Sequence, residues 1–120
     1  MTERAILAGW GGQGMMTIGK LLAWIMMHEG KEVTYFPSYG AEVRGGTAHC
    51  HVVVSDQPIH SPIVETADAL IVMNQASYEK FRDRLRPGGL LLLNSSLIDH
   101  EAHEDAIVVR LWNPDAHDVT

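Results

Sequence analysis

A chain of 120 residues has the length of one domain, able to bury a core but at the small end for a doubly wound sheet. With 46% hydrophobic and 20% charged residues it is globular in composition, and a formal charge of -6 lacks the basic face that nucleic-acid binding wants. No apolar run is long enough to span a membrane, the N-terminus carries no signal-peptide pattern, and the single cysteine, Cys50, excludes an internal disulfide and cannot ligate an iron–sulfur cluster unaided, so a cytoplasmic protein is expected.

The short apolar run Ala5-Ile6-Leu7-Ala8 reads as a buried strand. It leads into Gly9-Trp10-Gly11-Gly12-Gln13-Gly14 and then into a segment without proline that predicts a helix from about Gly12 to Glu29, stopped by Gly30. Strand, glycine turn and helix give a Gly-x-Gly-x-x-Gly pattern its meaning. The glycines let the backbone approach a phosphate, and the helix N-terminus supplies free N–H groups and a partial positive charge. Helix–strand packing alone is the plainer explanation of the same glycines. Within the helix, Ile18, Leu21, Leu22, Ile25 and Met26 recur at helical spacing and predict the core-facing stripe; Trp24 and Met27 widen the apolar surface. The methionines read as gap-filling core residues or as part of a subunit interface.

A second strand, Val33-Thr34-Tyr35-Phe36, ends at Pro37 with no carboxylate at its tip, where an NAD site usually places one to hold the ribose. The next acid, Glu42, lies inside the loop Pro37-Ser38-Tyr39-Gly40-Ala41-Glu42-Val43-Arg44-Gly45-Gly46-Thr47. This weakens the nicotinamide reading and leaves room for another phosphate-bearing ligand. Thr47 to Ser55 reads as a strand with His49 and His51 on one face and Cys50 on the other. No third metal ligand stands at a recognisable spacing, so no metal is assigned. A connection over 59–66 follows, with Pro58 and Pro62 in the region.

Ala67 to Met73 predicts another buried strand, with Asn74-Gln75 at its carboxyl end. A helix from about Ser77 to Leu85 is suggested by Tyr78, Phe81 and Leu85, with Lys80, Arg82, Asp83, Arg84 and Arg86 on a solvated face. Pro87-Gly88-Gly89 closes it, and Leu90-Leu91-Leu92-Leu93 reads as a central parallel strand ending in Asn94-Ser95-Ser96. A polar loop, His100 to Glu104, precedes a last strand, Ala106 to Leu111. Asn113 to Thr120 resembles a helix entrance, so the chain reads either as C-terminally truncated or as leaving one face of the sheet for a partner to cover.

Strands alternating with helices predict one α/β domain over 1–120, Rossmann-like, with a mostly parallel sheet and helices on both faces. Ligands of such sheets bind beyond the strands' carboxyl ends. Gly9 to Gly14, Pro37 to Gly46, Asn74-Gln75 and Asn94-Ser95-Ser96 all belong there, which predicts one site.

The combination of Gly9-Trp10-Gly11-Gly12-Gln13-Gly14, Pro37 to Thr47, Ser61-Pro62, and Pro87-Gly88-Gly89 followed by Asn94-Ser95-Ser96-Leu97-Ile98 resembles the gamma subunit or domain of 2-oxoacid:ferredoxin oxidoreductases. The resemblance covers nearly the whole chain and is strongest to the 2-oxoglutarate or branched-chain 2-oxoacid type. It implies an enzyme that decarboxylates a 2-oxoacid on thiamine diphosphate, passes electrons through iron–sulfur clusters to ferredoxin, and yields an acyl-CoA. It also implies that the thiamine diphosphate and the clusters sit on partners, namely thiamine-binding alpha- and beta-type subunits and a ferredoxin-like subunit. The gamma unit supports assembly and holds coenzyme A. Carried over by residue, the phosphate-type loop is Gly9, Gly11, Gly12, Gln13 and Gly14, and the second loop is Ser38, Tyr39, Gly40, Glu42, Arg44, Gly45 and Gly46. Arg44 could pair with a phosphate, with a partner's carboxylate, or with Glu42. No residue here is expected to make or break bonds, so the isolated chain should be inactive. Two alternatives remain: a free-standing nicotinamide-dependent dehydrogenase domain, and a purely structural assembly subunit.

Overall fold

A computed structural model describes residues 2–10, 14–39, 47–94 and 106–111, without the side chains of residues 10, 39, 47, 94 and 106–111. The described elements are β1 (Thr2–Trp10), α1 (Met15–His28), β2 (Glu32–Tyr39), β3 (Thr47–Ser55), β4 (Ala67–Val72), α2 (Gln75–Phe81), β5 (Leu85–Asn94) and β6 (Ala106–Leu111). The strands form one sheet in the order β2-β3-β1-β4-β5-β6. The α/β class is as expected, but the sheet is mixed and not mostly parallel. β1, β4, β5 and β6 run parallel, whereas β3 is antiparallel to both of its neighbours, β1 and β2. β1 and β2 therefore run parallel to each other without touching. The chain crosses over through α1, then turns back as a β2–β3 hairpin whose second strand fills the gap. The alternation of strands and helices does not register this, but the connection does: seven residues between β2 and β3 are too few for a parallel crossover.

Among the described residues, each face of the sheet carries one α-helix. Period-two alternation in β1 sends Leu7 to the α1 side and Ile6 and Ala8 to the α2 side. β3 does the same: Cys50, Val52 and Val54 join the α1 cluster, Val53 the α2 cluster with Leu70, Tyr78, Phe81, Leu91 and Leu93. The expected strand at Leu90–Leu93 is central, between β4 and β6.

The core-facing side of α1 is only in part the expected one. Its buried residues are Met15, Gly19 and Ala23, with Leu22 and Met26 packed beside them. Ile18, Leu21 and Ile25 are 46–55% exposed, and Trp24 and Met27 are exposed too. The apolar surface is wider than one stripe, so periodicity cannot choose the inward face; close approach to β3 does. A Cβ on Gly19 would lie 2.4 Å from Cys50 Sγ, so the helix meets the sheet across its smallest residues. The helix ends as the glycine predicted. Gly30 has φ 86°, its N–H donates to Met27 O, and Lys31 N–H donates to Met26 O, a Schellman motif.

The second helix is shorter than expected, ending at Phe81, with a 3-10 turn over Arg82–Arg84. Pro87-Gly88-Gly89 does not close a helix but lies within β5. There the register against β4 jumps from Ala67↔Leu85 to Ala69↔Leu90. Gly88 takes φ 78°, and a Cβ on Gly89 would come within 2.9 Å of Arg86 O. Asp68 holds this bulge to the sheet, accepting from Arg86 Nε at 2.7 Å and from Arg4 N–H at 2.8 Å. The expected loop at His100–Glu104 and helix entrance at Asn113–Thr120 lie outside the described residues. No described helix is long and apolar enough to cross a membrane.

Candidate functional site

The strand registers bring the predicted loops to one edge. Trp10, the last residue of β1, pairs with Thr47, the first of β3, and Tyr39, the last of β2, pairs with Ala48. β1 and β2 therefore end, and β3 begins, at one edge of the sheet. β4 and β5 end at the same edge: Val72 pairs with Ala8 and with Leu93, and Met73 N–H donates to Ala8 O at 3.0 Å. The antiparallel insertion of β3 keeps the convergence, because two reversals leave β2 parallel to β1.

Of the predicted site residues, Gly9 is buried near the tip of β1, Gly14 caps α1, Ser38 lies opposite His49, and Tyr39 ends β2. Gly11, Gly12, Gln13, Gly40, Glu42, Arg44, Gly45 and Gly46 lie outside the described residues, as do Ser95 and Ser96.

Two helix N-termini belong to this edge, and they differ. At α2 the Asn74 side chain is buried and accepts from Ser77 N–H at 2.8 Å, closing the helix with its own cap. Gln75 is engaged with Glu79, Nε2 to Oε2 at 2.8 Å. Asn74 thus caps α2, and Gln75 is tied within the same helix. At α1 the capping position is Gly14, left-handed at φ 77°, with no side-chain cap and no acid in the first turn. Among the described residues no side chain accepts from its first amides and no carboxylate in its first turn offsets the partial positive charge there. This is the local chemistry of an anion cradle, made by the glycine that the pattern required.

His49 and His51 lie on the α2 face, as strand alternation predicted, with ring centroids 5.0 Å apart. His51 is buried and its Nδ1 accepts Val64 N–H at 2.8 Å, which leaves the neutral ring's proton on Nε2. Burial pushes the His49 pKa down to about 4, aided by the charges of His51, Lys80 and Arg84. Burial, then Arg84, also lowers that of His51. Among the described residues, no three His, Cys, Asp or Glu side chains are grouped to hold a metal. Cys50 is fully buried behind α1, its Sγ 3.8 Å from Met15 O, and burial raises its pKa to about 11, which makes it an inert thiol. An open cavity of about 390 Å³ lined by Arg4, Ser61, Ile63, Glu65 and Thr66 lies toward the amino ends of the strands, away from the glycine loops.

The family model for pyruvate ferredoxin/flavodoxin oxidoreductase matches residues 4–119. Ketoisovalerate oxidoreductase subunit VorA of Methanothermobacter thermautotrophicus is 42% identical over 93 residues, 78% of this chain and 20% of that one. 2-Oxoglutarate synthase subunit KorC of Methanocaldococcus jannaschii is 36% identical over 99 residues, 82% of this chain and 53% of that one. The chain thus spans about a fifth of the one relative and about half of the other. In structure it is similar to the gamma subunit of a keto/oxoacid ferredoxin oxidoreductase from Geobacter sulfurreducens, with TM-score 0.79, 28% identity, and coverage of 92% of this chain and 60% of that one. It is equally similar to the 2-oxoglutarate:ferredoxin oxidoreductase of Magnetococcus marinus with 2-oxoglutarate, coenzyme A and succinyl-CoA bound, with TM-score 0.79, 26% identity, and coverage of 91% and 19%.

Proposed function

The chain belongs to the pyruvate ferredoxin/flavodoxin oxidoreductase family, and we propose that it is the gamma-type unit, one domain over 1–120, of a cytoplasmic 2-oxoacid:ferredoxin oxidoreductase. In this reading it binds the phosphates of coenzyme A at the edge where β1 and β2 end. The observation that carries it is the N-terminus of α1 at this edge: a left-handed Gly14 with no side-chain cap and no acid in the first turn among the described residues, where α2 is capped by Asn74. Gly9, Gly11, Gly12, Gln13 and Gly14 supply backbone that approaches closely. Ser38, Tyr39, Gly40, Glu42, Arg44, Gly45 and Gly46 form the second wall, with Arg44 as the phosphate partner. The unit's share of the chemistry is binding and orientation. Thiamine diphosphate, which supplies the carbanion chemistry, and the iron–sulfur clusters belong to the thiamine-binding and ferredoxin-like partners, and ferredoxin accepts the electrons.

The exposed apolar side of α1 gives a second reading, that of an assembly subunit whose loops bind nothing, since contiguous exposed apolar patches mark interaction surfaces. Calorimetry on the holoenzyme separates the two. Gly11→Val should abolish coenzyme A binding to this unit. Arg44→Ala should weaken it by about 1.5–3 kcal/mol, as expected for a hydrogen bond to a charged group. Unchanged affinity in both folded variants leaves the assembly role. Tighter binding of NAD than of coenzyme A would favour a dehydrogenase domain.

A further inference from the structure

Beside the same edge, on the α2 face, cationic groups gather around one ring. His49 stacks 4.7 Å from the Phe81 centroid, Lys80 Nζ stands 5.4 Å from it, and Arg84 Cζ stands 5.4 Å from it. Phe81 is buried, while Lys80 and Arg84 are exposed, so the ring holds the cations where solvent still reaches them. No carboxylate of the described residues pairs with either: the two ion pairs present are Lys31–Asp56 and Arg86–Asp68. Glu79, on the same helix, is engaged with Gln75. His49 Nδ1 is buried and has no hydrogen-bond partner among the described residues, and neither does Ser77 Oγ, one helical turn before Phe81 and itself fully buried. His49 pairs with Ala8 and Ser38, one residue inside the hairpin end of β3.

We propose that His49, Lys80 and Arg84 form an anion subsite for a phosphate monoester. A dianion fits because Lys80, Arg84 and the potentially cationic His49 all border one apolar ring, and among the described residues no carboxylate, the neighbouring exposed Asp83 included, forms an ion pair with either cation. The charges acting on His49 come from His51 on β3, Lys80 on α2 and Arg84 on the 3-10 turn, all of one sign. Such a site binds phosphate with proton uptake: neutral His49 becomes a donor once the incoming charge offsets its neighbours. Arg82, whose Cζ lies 5.5 Å over the Tyr78 ring instead, is the natural control. The phosphate can be free or the ribose 3′-phosphate of coenzyme A; only the second source rests on the function proposed above.

The test is the titration of the His49 ring by NMR on the full 120-residue chain. Inorganic phosphate should raise its midpoint by about one pH unit, as a nearby opposite charge does. Lys80→Gln and Arg84→Gln should each weaken phosphate binding about tenfold, and Arg82→Gln should leave it unchanged. Without phosphate, the Lys80 and Arg84 variants should raise the His49 midpoint by removing repulsion, so a merely structural cation moves the baseline but not the phosphate response. Coenzyme A shifting His49 more strongly than dephospho-coenzyme A identifies the nucleotide as the source; equal effects identify free phosphate. A His49 midpoint unmoved by both phosphate and coenzyme A in the folded chain overturns the site, as does equal weakening by Arg82→Gln. A phosphate response without coenzyme A binding keeps the subsite and removes the glycine-loop reading.

Discussion

Replacing Gly19 with alanine adds one methyl group to the middle of α1, and two effects of opposite sign compete. Alanine is favoured over glycine in a helix interior by about 0.8–1 kcal/mol. Against that, the new Cβ would lie 2.4 Å from Cys50 Sγ and 3.4 Å from Tyr35 Cε1. The first distance falls more than about 1 Å short of the ordinary 3.5–4.0 Å contact between carbon atoms. Cys50 cannot swing away, because it is fully buried in the middle of β3. Tyr35 is held by its hydroxyl donating to Met16 O at 3.2 Å. The helix must lift from the sheet, at a typical overpacking cost of about 1–3 kcal/mol. The net expectation is a loss of about 1 kcal/mol, read by urea unfolding as a lower midpoint at unchanged slope. Cys50→Ala removes the obstructing sulfur. In the double variant the two changes should compensate, with a coupling of about 1–3 kcal/mol. A Gly19→Ala chain more stable than the parent, or additivity within about 0.5 kcal/mol, would refute the close-contact argument.

Asn74→Ala removes the cap of α2 and should cost about 1 kcal/mol in the same unfolding assay, with Asn74→Asp largely restoring it. His49 is held neutral in the fold, with its pKa down from 6.5 to about 4, so the unfolded chain takes up the proton first as pH falls. Stability should be full above pH 6.5 and decline between pH 6.5 and 4; unfolding across that range should show a smaller slope in His49→Gln. The isolated chain should self-associate through α1, and Leu21→Lys with Ile25→Lys should yield monomers by sedimentation; a parent chain monomeric at high concentration would count against this surface. The same isolated chain should show no 2-oxoacid-dependent dye reduction, and measurable turnover would refute the assignment of the chemistry to partner subunits.

Much of this molecule was legible in local sequence. Strand positions followed from short apolar runs, the end of α1 from Gly30, and the opposed faces of Cys50 and the two histidines from period two. These features depend on residues within one or two turns of each other, so a linear reading reaches them. Tertiary structure decided the rest. Whether β3 lies beside β1 depends on hydrogen bonding between residues some forty positions apart, Leu7 with Cys50 for example, which no local pattern encodes. The inward face of α1 was chosen by the fit of Gly19 against Cys50, since an apolar surface on several sides leaves periodicity undecided. Lys80 and Arg84 are solvent-exposed, as a mixed charge run predicts, but only the fold brought His49 to the same Phe81 ring that both of them border. A charge's meaning depends on what faces it across space, and that is fixed only when the sheet and helix have packed.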